Sequence, residues 1–256
     1  MAYLLSALLV SASVYLIFVQ ESLYVVFDSS VYLPFHAAVE IFTILVAVAV
    51  AYVSLKGYRR DGSRTILLLG SAFLVQAALD TIHNMAYPGM PLLLVRSGTN
   101  EAIYLWLFAR ISGSFLLLAS PVLPEKEMSP EARDKVLLYT LAAVALLSVG
   151  SVYTVNQLLD KLPLMFIPGK GLTMLKVGLE FLVTIVLGIT GLLYLKSYLS
   201  SGNRTILMFT IGVSLFIFAE VGFMLYRHAY DIHNTLGHIF KLAAFIAFLL
   251  GVILAR

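Results

Sequence analysis

Long apolar segments alternate with short polar connections along the whole chain. Eight segments can be marked, and each is close to the 20 or so apolar residues that a membrane-spanning helix needs. Clusters of Gly, Pro and charged residues separate them. The segments cover residues 2–20, 34–56, 64–87, 101–121, 134–156, 171–198, 203–227 and 234–255. The pattern predicts an all-α integral membrane protein with eight transmembrane helices.

Composition supports a membrane environment. Of 256 residues, 61% are hydrophobic and 12% are charged, and the mean hydropathy is +0.96. Soluble domains carry about 25% charged residues, so a water-soluble fold is excluded. The chain has no cysteine, which removes disulfides and thiol chemistry. The net charge of +3 reflects basic loops, and we expect no nucleic-acid partner.

The distribution of Lys and Arg among the connections predicts the orientation in the plasma membrane, because cytoplasmic loops are enriched in these residues. One set of connections holds Lys56, Arg59, Arg60, Arg64, Lys126, Arg133, Lys135, Lys196, Arg204 and Arg256. The opposite set holds only Arg96, Lys161, Lys170 and Arg227. We therefore expect both termini in the cytoplasm. No basic residue precedes the first segment, which favours a membrane helix over a secretory signal peptide.

The two halves of the chain resemble each other at an offset of 140 residues. Residues 56–67 and 196–207 are identical at seven of twelve positions, including Lys, Tyr, Gly and the run Arg-Thr-Ile-Leu. The same offset places Glu40 on Glu180 and Asp80 on Glu220. This similarity predicts a parallel tandem repeat of four helices, about 1–130 and 131–256, with a site between the halves.

Ionisable residues occur inside the predicted spans, where they are costly and usually functional. They are His36, Glu40, Asp80, His83, Arg110, Lys176, Glu180, Glu220, His238 and Lys241. At a helix rise of about 1.5 Å per residue they lie at a similar depth below the outer helix ends. His36 with Glu40, Asp80 with His83, Lys176 with Glu180 and His238 with Lys241 share helix faces. We expect a polar pocket open to the outside and closed by apolar cytoplasmic half-helices.

Three ligand classes suit these residues. Mixed acids and bases favour a small polar or zwitterionic ligand. The spacing of Asp80 and His83 is that of a carboxylate and a histidine in helical di-metal sites. His36, Asp80, His83 and His238 are thus candidate ligands of a divalent metal, and Glu40 could help to complete its coordination sphere. Two of the three histidines could instead hold a haem, although no attachment motif is present.

Aromatic and histidine residues near the outer surface have simpler expected roles. Most of the aromatic side chains are expected in the interfacial belt, with a minority lining the pocket. They are Phe35, Tyr87, Tyr104, Trp106, Phe223, Tyr226 and Tyr230. His228, Asp231 and His233 are expected to be solvated in an outer loop.

The motifs together resemble the third type of bacterial and archaeal membrane-associated sensor domain over about residues 35–256. The resemblance lies in six short motifs: Phe35-His36-x-x-x-Glu40, Leu79-Asp80-x-x-His83-x-x-x-Tyr87-x-Gly89-Met90, Ala109-Arg110, Lys176-x-Gly178-x-Glu180, Glu220-x-x-Phe223-x-x-Tyr226 and Asn234-x-x-Gly237-His238-x-x-Lys241. It implies a sensory module that precedes PAS, histidine-kinase or diguanylate-cyclase domains in two-component and related signalling.

The resemblance makes a sensor, rather than an enzyme, the leading hypothesis. The last predicted span ends next to Arg256 and residues 1–256 include no output domain, so we expect either a truncated receptor or a separate signalling partner. The alternative is a membrane-embedded hydrolase or oxidoreductase that uses a metal or haem at the His/Asp/Glu cluster. A small transporter is a third hypothesis, favoured by the parallel repeat.

Overall fold

The structure is a computed structural model, and it describes residues 14, 21–22, 24–90 and 92–255. Within these residues the chain forms seven long helices, each long and apolar enough to cross a membrane. They are α1 (Ser29–Asp61), α2 (Arg64–Ala86), α3 (Thr99–Val122), α4 (Pro130–Tyr153), α5 (Met174–Ser201), α6 (Arg204–Leu225) and α7 (Ile232–Leu254). The first predicted span, 2–20, lies outside the described residues. The chain is therefore a multi-pass, all-helical membrane protein.

Local capping interactions set several helix boundaries. Asp28 caps α1 by accepting a hydrogen bond from the Ser30 N–H at 2.8 Å. The helix consequently begins five residues before Pro34, where the sequence had predicted its start. Asp231 caps α7 in the same way, accepting from the Asn234 N–H at 3.0 Å. The fifth predicted span continues beyond α4 as a π-helical turn, Thr154–Leu158, and a 3₁₀ turn, Leu159–Lys161.

Six of the described helices form a closed ring. Each packs on the next in the order α1, α2, α3, α5, α6 and α7, and α7 returns to α1. Helix α4 lies outside this ring, packed on the side of α2 and α1, with most of its side chains exposed. Such exposure is expected for a helix that faces lipid. The interior of the ring is the place where polar side chains can be buried together.

Glycines bring α6 and α7 into close contact. A Cβ atom added at Gly222 would lie 2.8 Å from the carbonyl oxygen of His233 and 3.0 Å from the Gly237 nitrogen. A Cβ at Gly212 would lie 2.6 Å from the Phe248 ring. Small residues commonly allow such close helix approach in membranes.

The two ends of the ring differ. One end, called here the turn end, carries the turns after α1 and α5, where Gly62 and Gly202 have φ values of 77° and 65°. The other end, called the pocket end, carries the longer connections. These include a two-stranded hairpin of β1 (Phe166–Ile167) and β2 (Gly171–Leu172), which Asn100 fixes to the start of α3.

An apolar layer fills the ring on the turn-end side. It contains Phe73, Leu117, Leu187, Phe209, Val213, Phe216, Phe245 and Phe248, with rings in direct contact such as Phe73 and Phe245 at 5.0 Å between centroids. The half of the ring next to the turn end is therefore closed by apolar side chains. Polar groups near the pocket end are separated from the turn end by this layer.

Candidate functional site

All ten ionisable residues singled out from the sequence are buried inside the ring, none more than 5% exposed. Four of the six ring helices contribute two of them each, and α3 and α6 contribute one each. They are His36 and Glu40 from α1, Asp80 and His83 from α2, Arg110 from α3, Lys176 and Glu180 from α5, Glu220 from α6, and His238 and Lys241 from α7. The structure thus brings the whole predicted set together.

Lys241 is the centre of the first group. Its Nζ lies 2.8 and 2.9 Å from the two carboxylate oxygens of Glu40 and 3.0 Å from Asp80 Oδ2. Arg110 donates to the same Asp80 oxygen at 3.3 Å. His238 Nδ1 lies 2.8 Å from Glu40 Oε1, although its N–H is not aligned for a hydrogen bond. Two acids and two bases from four helices therefore neutralise one another.

Lys176 and Glu180 form the second group on α5. The Lys176 ammonium donates to Glu180 Oε2 at 2.6 Å and also to the carbonyl oxygen of Phe223 on α6. Trp106 Nε1 donates to Glu180 Oε1 at 3.2 Å. The Trp106 ring in turn faces both cations of the first group, with Arg110 Cζ at 4.5 Å and Lys241 Nζ at 4.7 Å from its centroid. Trp106 therefore connects the two groups.

Glu220 differs from the other acids. It is fully buried, and neither of its carboxyl oxygens has a hydrogen-bond partner among the described residues. With Arg110, Gln76 and Ser114 it lines a small cavity with about 190 Å³ of empty space. A buried polar group without a partner is costly, so Glu220 marks a position where a water, a proton or a ligand could be accommodated.

The three histidines lie side by side. The His36 ring stacks on Tyr87 at 3.7 Å and meets the His238 ring edge-on at 4.6 Å between centroids. Both ring nitrogens of His36 lack a partner among the described residues. His83 Nδ1 lies 2.8 Å from the carbonyl oxygen of Ala102, which fixes the proton on Nδ1 and leaves Nε2 as an unpartnered acceptor.

Ligand atoms of His36, Glu40 and His83 lie within 4.8 Å of one another, close enough to hold one metal ion. This set differs from the metal ligands predicted from sequence. Asp80 and His238 are not in this group; Asp80 Oδ2 binds Lys241 and Arg110, and His238 Nδ1 lies 2.8 Å from Glu40 Oε1. Glu40 takes the carboxylate position instead.

A pocket at the pocket end reaches these side chains. It has about 400 Å³ of empty space, part of it open to solvent. Lys176 and Glu180 of the second group line it together with two histidines, an asparagine and aromatic rings. The lining includes His83, Trp106, Lys176, Glu180, Phe223, Tyr226, Asn234 and His238.

Two expectations about the surface were wrong. Tyr87, Tyr104, Trp106, Phe223 and Tyr226 are at most 8% exposed, so most of the rim aromatics lie in the interior instead of an interfacial belt. His233 and Asp231 are also buried, because Asp231 accepts hydrogen bonds from the backbone N–H groups of Arg227, His228 and Asn234 and holds the loop against the bundle.

Two buried polar residues were missed as site residues. Gln76 lines the cavity beside Glu220, and the signal that could have revealed it is a lone amide inside an apolar helix. Asn234 lines the pocket and donates to Tyr87 Oη at 3.2 Å and to the Ala229 carbonyl oxygen at 2.6 Å. It follows the cap of α7, where an amide is easily interpreted as part of the capping sequence.

The comparison with protein families identifies the class of protein. The model of the membrane-associated sensor domain family, MASE3, matches residues 27–256, which is most of the chain. The chain belongs to this family of membrane-embedded sensor domains. Comparison with curated proteins found no match, and comparison with solved structures found none either. The family suggests a non-enzymatic role.

Proposed function

We propose that the protein is a sensory module that binds a small polar ligand or a metal ion in the pocket and reports its presence at the turn end. The observation that carries this proposal is the joining of four ring helices by one group of charges, Glu40, Asp80, Arg110 and Lys241. That group lies beside a pocket lined by polar and aromatic side chains. A ligand with charged groups would compete for these ion pairs.

The Lys and Arg distribution supports an orientation in which the pocket end faces outside and both termini are cytoplasmic. In this orientation an external ligand enters from the pocket end. Helix α7 then carries the signal, because His238 and Lys241 lie at the site and Leu254 lies at the turn end. A ligand shifts the packing of α7 only if it binds the two arrangements with different affinity.

A tandem repeat is consistent with the order of the ring. Helices α1, α2 and α3 are followed around the ring by α5, α6 and α7, so each half supplies three consecutive neighbours. The turns that follow α1 and α5 both use a glycine with positive φ and then a side-chain cap, Ser63 or Asn203. The site then lies between the halves, as expected for a parallel repeat.

The output is proposed to be a cytoplasmic kinase or cyclase domain, in the same protein or on a partner. Family membership favours this sensory role over the membrane-embedded metalloenzyme and over the transporter. The apolar layer at the turn-end side also weighs against transport, because it leaves the polar site without a route to the turn end.

Trp106 makes the proposal directly testable, because it is the one tryptophan of the chain and it lines the pocket. Purified protein would be titrated with amino acids, dicarboxylates, amines and divalent cations while its fluorescence is recorded. We expect at least one compound to change the emission saturably, and the Asp80→Asn variant to lose this response. Asp134→Asn, which alters an exposed ion pair with Arg59, is the matched control. A response that Asp80→Asn leaves unchanged would contradict the pocket assignment.

A further inference from the structure

We propose that His36, Glu40 and His83 form a binding site for one first-row divalent transition metal ion, and that this ion is what the sensor detects. The inference rests on the proposed function and names the ligand class for the same buried site, which adjoins the pocket through His83. Its starting point is the approach of the three ligand atoms to within 4.8 Å of one another.

The histidines are arranged as metal ligands usually are. A ligating histidine commonly donates one ring N–H to a backbone carbonyl, which orients the other nitrogen towards the metal. His83 does this with the Ala102 carbonyl oxygen at 2.8 Å, and its Nε2 is buried without a partner among the described residues. His36 has both nitrogens unpartnered, and the stacked Tyr87 ring holds its plane. Three buried nitrogens are therefore unpartnered among the described residues, and one metal ion would bind two of them, one from each ring.

The charge of the site favours a cation. Four buried acids, Glu40, Asp80, Glu180 and Glu220, face three buried bases, Arg110, Lys176 and Lys241. With neutral histidines and all four carboxyl groups ionised, the site has one negative charge in excess, and an anion would increase the imbalance. Two imidazoles and one carboxylate suit zinc, iron, cobalt, nickel or copper, whereas calcium and magnesium prefer oxygen ligands. Direct packing of the His36, Tyr87 and His238 rings favours a single ion over a haem.

Glu40 gives the site a means of signalling. Its carboxylate is bound by Lys241 of α7, and a metal held by His36 and His83 would compete for the same oxygens. Lys241 has a second partner in Asp80, 3.0 Å away, so it can leave Glu40 without losing every counter-charge. Metal binding would thus strengthen the contact of α1 with α2 and loosen the contact of α1 with α7.

The test uses the full chain, purified in detergent and stripped of metal with a chelator. Co²⁺ is titrated and its visible absorption is recorded, with Trp106 emission as a second signal because the Trp106 ring lies 5.7 Å from the His83 ring. We expect one Co²⁺ per chain, displaced by Zn²⁺, with quenching of Trp106. His36→Gln and His83→Gln should each weaken binding by at least about 100-fold, since loss of an outer partner alone costs 10–100-fold. His228→Gln, an exposed histidine outside the set, should bind like the native protein.

Absence of stoichiometric Co²⁺ binding, or equal affinity in the native protein and both variants, would overturn the proposal. If a variant fails to fold, X-ray absorption of the Zn²⁺-loaded native protein decides, because two imidazole ligands at about 2.0–2.1 Å are expected and one or none would contradict the site. If Trp106 emission responds only to an organic ligand, the metal site is contradicted and the proposed sensory function still stands. Tight metal binding without movement of α7 would confirm the metal site and contradict the proposed sensory function.

Discussion

Lys241 of α7 places its ammonium 2.8 and 2.9 Å from the two carboxylate oxygens of Glu40 on α1, and both side chains are fully buried. The two residues are 201 positions apart, and their contact closes the ring between its first and last described helices. A buried ion pair is sensitive to the loss of one member, because the other is left uncompensated. This ion pair therefore supports the fold, and it lies where the proposed ligand would act.

Replacing Lys241 with Met should destabilise the protein strongly, because it leaves Glu40 without a cation. Breaking a buried pair from one side typically costs about 3–5 kcal/mol. The free energy of unfolding, measured by denaturant titration in mixed micelles, is the relevant quantity. The double variant Lys241→Met with Glu40→Gln should lose less free energy of unfolding than the sum of the losses in the two single variants. Lys170→Met, in the exposed hairpin turn, is the control, and an equal loss there would refute the assignment.

Glu220 and Glu180 should respond oppositely to the same substitution. Glu220→Gln removes a buried carboxyl group without a described partner, so thermal stability should stay equal or rise. Glu180→Gln removes the carboxylate that binds Lys176 at 2.6 Å, so stability should fall. Comparing the two melting temperatures in the same detergent tests this difference. A larger loss for Glu220→Gln would mean that Glu220 has a stabilising partner in the native protein.

Glu125 should make stability depend on acid pH. Burial alone would raise the pKa of Glu125, but hydrogen bonds from the N–H groups of Arg64 and Thr65 and from the Ser63 hydroxyl outweigh it and lower the pKa. The carboxylate therefore stabilises the fold above its unfolded pKa of about 4.3, and this contribution disappears as the pH falls through the lower folded pKa. Glu125→Gln should be less stable than the native protein at pH 7.

The difference in stability between the native protein and Glu125→Gln should become steadily smaller as the pH is lowered below about 4. Melting temperatures measured across this pH range test this. Glu127→Gln provides the control, because Glu127 is exposed in the same loop and forms no hydrogen bond with described residues. A difference in melting temperature that stays constant from pH 7 to pH 3 would show that the ionised Glu125 carboxylate is not what stabilises the native protein.

Gly222→Ala should separate α6 from α7, because the added Cβ would meet backbone atoms of α7 at 2.8 and 3.0 Å that cannot move independently. Overpacking of this kind costs about 1–3 kcal/mol. Gly188→Ala on α5 is the matched control, since no atom lies within 4 Å of a Cβ there. Melting temperatures should fall for Gly222→Ala and stay unchanged or rise slightly for Gly188→Ala. Equal effects would contradict the close packing of these helices.

The residues of the candidate site could be predicted from sequence, whereas their partners could not. Charges inside apolar spans stand out because each needs a partner in lipid, and all ten are buried inside the ring. Helical spacing predicts partners only along one helix, and Lys176 with Glu180 is the pair for which this succeeded. The contacts of Lys241 with Glu40 and Asp80 depend on ring closure, which no local pattern encodes.

Some elements of the fold could likewise be predicted from sequence and others could not. The helical membrane class follows from hydropathy and is confirmed over the described residues. The position of α4 outside the ring could not be predicted, because a lipid-facing helix and a buried helix are both apolar around most of their surface. The start of α1 was misplaced because Pro34 was interpreted as a boundary, while the cap at Asp28 determined where the helix begins.

The link between the pocket and the turn end is tested most directly by a distance measurement. The chain has no cysteine, so spin labels can be attached to cysteines introduced at Leu199 and Leu254, both exposed at the turn end. The distance between the labels would be compared by pulsed electron paramagnetic resonance in proteoliposomes for the native site, for Lys241→Gln and for the control Lys170→Gln. We expect Lys241→Gln to shift the distance by about 1–2 Å or more, the scale of helix shifts in switching proteins, and Lys170→Gln to leave it unchanged. Identical distance distributions in all three proteins would contradict a sensor that signals through α7.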